Sequence, residues 1–141
     1  MTTQGSDVLA GARVATRLPA GDLERARRFY AEKLGLRPVD ERPGGLLYRC
    51  GGTDFVVFRS TGVSSGTFTQ MGFEVDDLEA VVAELKRRGV EFEDVDAPGF
   101  HTRDGIAEIE GNYPGKGARG ERAAWFRDSE GNLLGIGQPT Y

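Results

Sequence analysis

The stretch GDLERARRFYAEKLGL, residues 21–36, sets the period from which the rest of the chain is read. Leu23, Ala26, Tyr30 and Leu34 recur at i, i+3, i+7 and i+11, which places them along one face of a helix. Asp22 stands where an N-cap is needed, and its carboxylate suits the free N–H groups of the first turn. Glu24 follows at the positive end of the helix dipole. Gly35 supplies the stop. The same grammar returns further on. Leu78, Val81, Val82 and Leu85 share a face after Asp77, Glu79 sits in the first turn, and Gly89 closes the segment.

Working outward, each helix is flanked in the same way. Residues 13–20 (RVATRLPA) and 67–75 (TFTQMGFEV) are short and strand-like, and each runs into its helix. After the first helix, residues 36–41, 46–50 and 54–59 read as strands, punctuated by Pro43-Gly44-Gly45 and Gly51-Gly52. After the second come residues 90–94, 105–110, 123–127 and 133–138, with the turn Asp128-Ser129-Glu130-Gly131-Asn132 between the last two. Strand, helix and three strands therefore occur twice, and an internal repeat of this kind organises the whole chain. The expected fold class is α+β: two tandem βαβββ modules, about 13–60 and 67–138, in one domain spanning 1–141. The second copy carries a Gly-rich, charged insertion over 97–121, the sort of segment that serves as a lid or binding loop.

Bulk composition narrows the function. The 141 residues are 38% hydrophobic and 28% charged, which fits a folded domain and excludes disorder. A net charge of −4 without a basic run argues against nucleic acid, whose phosphates demand clustered Lys and Arg. No stretch approaches the ~20 apolar residues of a membrane span. The N-terminus lacks a basic and apolar leader, so a cytoplasmic location is expected. One cysteine, Cys50, excludes an intramolecular disulfide and a cysteine zinc cluster; it reads as a small buried hydrophobe.

Four stretches carry a family likeness: 21–36 (GDLERARRFYAEKLGL), 73–80 (FEVDDLEA), 124–128 (AWFRD) and 130–135 (EGNLLG). On these the chain resembles the vicinal oxygen chelate superfamily, which includes glyoxalases, extradiol dioxygenases and bleomycin-resistance proteins. The resemblance implies that each module curls into a half-barrel and that two half-barrels enclose a central cleft. It also implies a divalent metal held by His or Gln, Glu, His and Glu on the first and last strand of each module. Carried over by local register, those positions are Ala15, Val56 or Val57, Gln70 and Gly135. Ala, Val and Gly offer no donor atom, and one amide does not hold a catalytic divalent ion. No metal and no cofactor are expected. A relocated site built from His101, Glu108 and Glu110 is the alternative.

Strand alternation assigns the remaining candidates. Val14, Thr16 and Leu18 fall under the first helix, leaving Ala15 and Arg17 for the cleft. Met71, Phe73 and Val75 are core, leaving Phe68, Gln70 and Gly72. Leu134 and Ile136 are core, leaving Leu133, Gly135 and Gly137. A cleft Arg17 would recognise a carboxylate, phosphate or phenolate; at a dimer edge or beside a surface acid it would not. Trp125 and Tyr48 have either a cleft role, stacking on a planar ligand, or a core role. His101 and Tyr113 lie on the long loop, as lid residues or as plain surface. The ligand-meeting set expected from sequence is thus Arg17, Tyr48, Phe68, Gln70, His101, Tyr113, Trp125 and Gly135. It describes a metal-free protein that binds a small organic molecule, sequestering an antibiotic or metabolite as a homodimer. The alternative is a lyase, isomerase or dioxygenase with a non-standard metal or none.

Overall fold

The computed structural model describes residues 8–111 and 117–141. The first module runs β1 (Thr16–Ala20), α1 (Leu23–Glu32), β2 (Asp40–Arg42), β3 (Gly45–Cys50) and β4 (Thr53–Arg59). The second runs β5 (Thr69–Glu74), α2 (Leu78–Arg87), β6 (Asp96–Ala97), β7 (Phe100–His101), β8 (Ala107–Glu110), β9 (Gly120–Arg127) and β10 (Leu133–Thr140). Both caps form as the sequence dictates: Asp22 accepts from the N–H of Arg25 and Asp77 from that of Ala80, each at 3.1 Å. Gly35 and Gly89 take positive φ just past the helices, at 71° and 94°, where a side chain would be strained.

Two four-stranded sheets result, ordered β1-β4-β3-β2 and β5-β10-β9-β8. In each, the strand before the helix pairs in parallel with the last strand of its module. The registers repeat as well. Arg17 lies opposite Val56, and Gly72 lies opposite Gly135, with Arg17 and Gly72 equally far ahead of their N-cap aspartates. The position in β4 that corresponds to Gly135 is therefore Val56; Val57 is buried in the core.

Apolar residues of both sheets and both helices join in one core cluster, among them Leu18, Tyr30, Val57, Leu78, Phe126 and Leu134. Each such burial contributes about 1.5–3 kcal/mol. Polar latches tie the first module to the turn between β9 and β10. The Tyr30 hydroxyl donates to Asp128 at 2.7 Å, Arg25 grips Glu130 with two bonds of 2.8 and 2.9 Å, and Asn132 donates to the carbonyl of Pro19 at 2.9 Å. Lys33 donates to the carbonyl of Arg88 at 2.8 Å, linking the ends of the two helices.

Three local expectations change. Val14 is not under α1 but 99% exposed, because β1 begins only at Thr16. Residues 90–94 form no strand; Phe92 makes a single bridge to Phe126, and the N–H of Glu93 donates to the Trp125 carbonyl at 2.8 Å. The insertion is not one long loop, because it contains the β6–β7 hairpin and β8. The chain therefore covers the outer edge of β9 in two pieces, 92–93 and β8, and the hairpin departs through the gap between them.

Candidate functional site

Alternation on β9 sends Ala124 and Phe126 into the core and turns Ala123 and Trp125 to the opposite face of the second sheet. On β10, Leu134 and Ile136 belong to the core cluster, while Gly135 and Gly137 lie opposite Trp125 and Ala123. Gly72 of β5 adjoins Gly135. Small residues on three neighbouring strands thus leave a concavity of about 310 Å³ over this face, with Trp125, Thr69 and Phe100 among its walls. A Cβ built at Gly135 would meet Trp125 and Thr69 at 3.5 and 3.4 Å, so the indole lies directly beside the glycine floor. The Phe100 ring stacks over Trp125, with centroids 5.8 Å apart and planes tilted by 30°. Ile109 and the buried Glu121 complete the far end. The residues lining this cavity all come from the second module.

The sequence-expected residues divide accordingly. Trp125 and Gly135 come together as the wall and floor of the cavity. Gln70 does not join them. A bulge between Leu133 and Leu134 pairs those residues with Thr69 and Met71, so the ladder skips Gln70 and Thr69 takes the lining position. The Gln70 side chain instead accepts from the Ser64 hydroxyl. Arg17 belongs to the other sheet, is exposed there and makes no ion pair with any described residue; within one chain it does not share the cavity of Trp125.

Tyr48 is a core residue, fully buried and stacked on Phe55 at 5.0 Å; its alternation with Leu46 put it under α1. Phe68 precedes β5 and is 62% exposed. His101 is exposed on β7 and borders a separate charged groove of about 460 Å³ that also involves Arg103, Glu108 and Arg122. Tyr113 lies outside the described residues. Cys50 is half-buried, and burial pushes its thiol up, which disfavours the thiolate.

Sequence reasoning missed Phe100 and Thr69. For Phe100 a signal existed: Pro98-Gly99 is turn chemistry, and it marks the tip of the β6–β7 hairpin. For Thr69 none did, because alternation from Met71 and Phe73 hides a bulge.

The positions that would hold the superfamily's metal carry Ala15, Val56, Gln70 and Gly135. These side chains do not fit a divalent ion, and the bulge aims the one amide at Ser64. Of the relocated set, His101 and Glu108 border one groove and Glu110 does not. Among the described residues no group of three or more His, Cys, Asp or Glu is placed to hold a metal.

Solved structures with this architecture are numerous. A glyoxalase/bleomycin resistance protein/dioxygenase from Alicyclobacillus acidocaldarius is 18% identical, covers 92% of both chains and has a TM-score of 0.66. A protein of the same description from Nocardioides is 17% identical over 99% of this chain and 87% of its own, with a TM-score of 0.61. TnmS3, an antibiotic binding protein from Streptomyces sp. CB03234, is 27% identical over 93% of this chain and 98% of its own, also with a TM-score of 0.61. No curated protein matches the sequence. The sequence itself matches the family pattern over residues 12–136, and sheet order, parallel module closure and the twofold repeat agree with that match: the chain belongs to the glyoxalase/bleomycin resistance protein/dioxygenase superfamily.

Proposed function

We propose that this protein is a metal-free small-molecule-binding member of its superfamily, a cytoplasmic homodimer that sequesters an antibiotic or a metabolite. The observation that carries the reading is the cavity of about 310 Å³ beside Trp125, floored by Gly72, Gly135 and Gly137. It lies within the usual size of small-molecule pockets and combines an apolar floor with one large aromatic wall. A flat floor and an indole suit a planar organic ring, which gains area and stacking together. The residue chemistry at Ala15, Val56, Gln70 and Gly135 speaks for holding a ligand rather than activating it through a Lewis acid. The likeness to TnmS3 supports an antibiotic as the kind of molecule bound.

The test combines composition and binding. Elemental analysis of the dialysed protein should find less than one equivalent of nickel, zinc, manganese and iron together. A screen of planar antibiotics followed by Trp125 emission should give saturable changes, and calorimetric titration should show Trp125→Ala weakening aromatic ligands by about 1 kcal/mol or more. One equivalent of tightly held metal, or turnover of a bound compound that depends on added metal, would overturn the reading.

A further inference from the structure

We infer that Phe100, carried on the β6–β7 hairpin, forms the second face of an aromatic clamp whose first face is Trp125, and that the clamp selects flat polycyclic molecules. The inference rests on the binding reading above and adds the shape of the ligand and the residue that reads it. The two rings are joined asymmetrically to the fold. Trp125 sits within β9, directly opposite Gly135, and its carbonyl accepts from Glu93 at 2.8 Å. That jaw is fixed by the sheet.

Phe100 stands on an arm. Strands β6 and β7 pair only with each other, two residues to each, around Pro98 and Gly99, and Gly99 has φ 98°. The stem of the arm is closed by Thr102, whose N–H donates to the Val95 carbonyl at 2.9 Å and whose hydroxyl oxygen accepts from the Val95 N–H at 3.0 Å. Outside that stem, the aromatic contact between Phe100 and Trp125 ties the hairpin to the cavity.

The geometry of the ring pair points to a clamp. A tilt of 30° at 5.8 Å makes the pair an inclined stack and not a tight parallel one. Carbon atoms in contact lie about 3.5–4 Å apart, so a flat ring between two others needs about 7 Å in all. An outward movement of Phe100 on its hairpin that opens the pair to that separation provides it. A globular molecule of equal area would force the arm away and lose one face. Phe100 also borders the charged groove of Glu79, Arg103, Asp104, Glu108 and Arg122, in which Arg122 pairs with Glu79, so one side of the clamp gives onto polar groups. The molecule that fits is therefore a flat polycycle with a polar substituent at one edge.

Trp125 is the only tryptophan in the chain, so its emission reports on this cavity alone. The full-length protein would be titrated with pyrenesulfonate, a flat anion, and with adamantanecarboxylate, a globular one read by competition. In the wild type pyrenesulfonate should quench Trp125 saturably and bind more tightly than adamantanecarboxylate. Phe100→Ala and Phe100→Leu should each weaken pyrenesulfonate by about three- to tenfold, leave adamantanecarboxylate unchanged, and so shrink the preference for flatness. Phe100→Tyr, which keeps the ring, should retain it. Circular dichroism would verify that all variants fold. Equal or tighter pyrenesulfonate binding by Phe100→Ala would show that Phe100 only plugs the cavity, and would overturn the clamp while leaving the binding reading intact. No saturable quenching in the wild type would overturn both.

Discussion

Two buried tyrosines show how one hydroxyl can matter and another not. Tyr30 and Tyr48 pack against each other at 5.3 Å, and both are inaccessible to solvent. The Tyr30 hydroxyl donates to Asp128, whose carboxylate also accepts from Asn132 and from the N–H groups of Glu130 and Asn132. Burial first, and the charge of Asp128 second, hold the Tyr30 proton well above its ordinary range. The Tyr48 hydroxyl has no hydrogen-bond partner among the described residues, and burial pushes it up to about 12 despite the opposing influence of Arg27. Removing one partner from a satisfied buried pair costs about 1–3 kcal/mol, whereas removing an unsatisfied group costs little or nothing. Urea denaturation should therefore show Tyr30→Phe destabilised by about that amount and Tyr48→Phe within about 1 kcal/mol of the wild type, or above it. The reverse order would contradict this account of the core.

Between elements, the same argument applies to α1 and the turn that joins β9 to β10. Burial alone would raise the Glu130 carboxyl. Hydrogen bonds from Arg25, from Ser129 and from the N–H of Asp22, together with the charge of Arg25, outweigh it and hold the group at about 2, against an ordinary 4.5. A depressed carboxyl lends its stability above the unfolded value and loses it as pH falls toward the folded one. Thermal or urea stability should fall between pH 4.5 and 2, and Glu130→Gln should flatten that fall relative to the wild type. An unchanged slope would mean the latch carries no stability. Elements of this kind were largely legible in the sequence. The caps at Asp22 and Asp77, the stops at Gly35 and Gly89 and the doubled strand order all follow from period and punctuation. What escaped did so for physical reasons. A two-residue strand such as β6 or β7 has no alternation to detect, and a bulge moves Gln70 away without changing the hydrophobic pattern around it. Trp125 and Gly135 could be assigned to one face because β9 and β10 are long and regular, with eight residues each.

At the scale of the molecule, the faces that carry Arg17 and Trp125 belong to different sheets, and within the chain nothing of the first sheet lines the cavity on the second. In the proposed twofold homodimer, the Arg17 face of one copy would be set against the glycine floor of the other, where Gly72, the register equivalent of Arg17, leaves room. Light scattering at micromolar concentration should give twice the chain mass of 15.3 kDa. A mass of one chain that does not change with concentration would contradict this assembly. The divided edge of β9 has a different kind of consequence. Its pairing is complete on either side of the point where the hairpin leaves, through Glu93 at one end and Ala107 at the other. The segment between them contributes no hydrogen bond to the ladder of β9, and its replacement need not disturb the sheet. Such a segment can be lengthened, shortened or exchanged by recombination while the sheet beneath keeps its pairing, so that new surface chemistry arises without the loss of stability that usually limits adaptation.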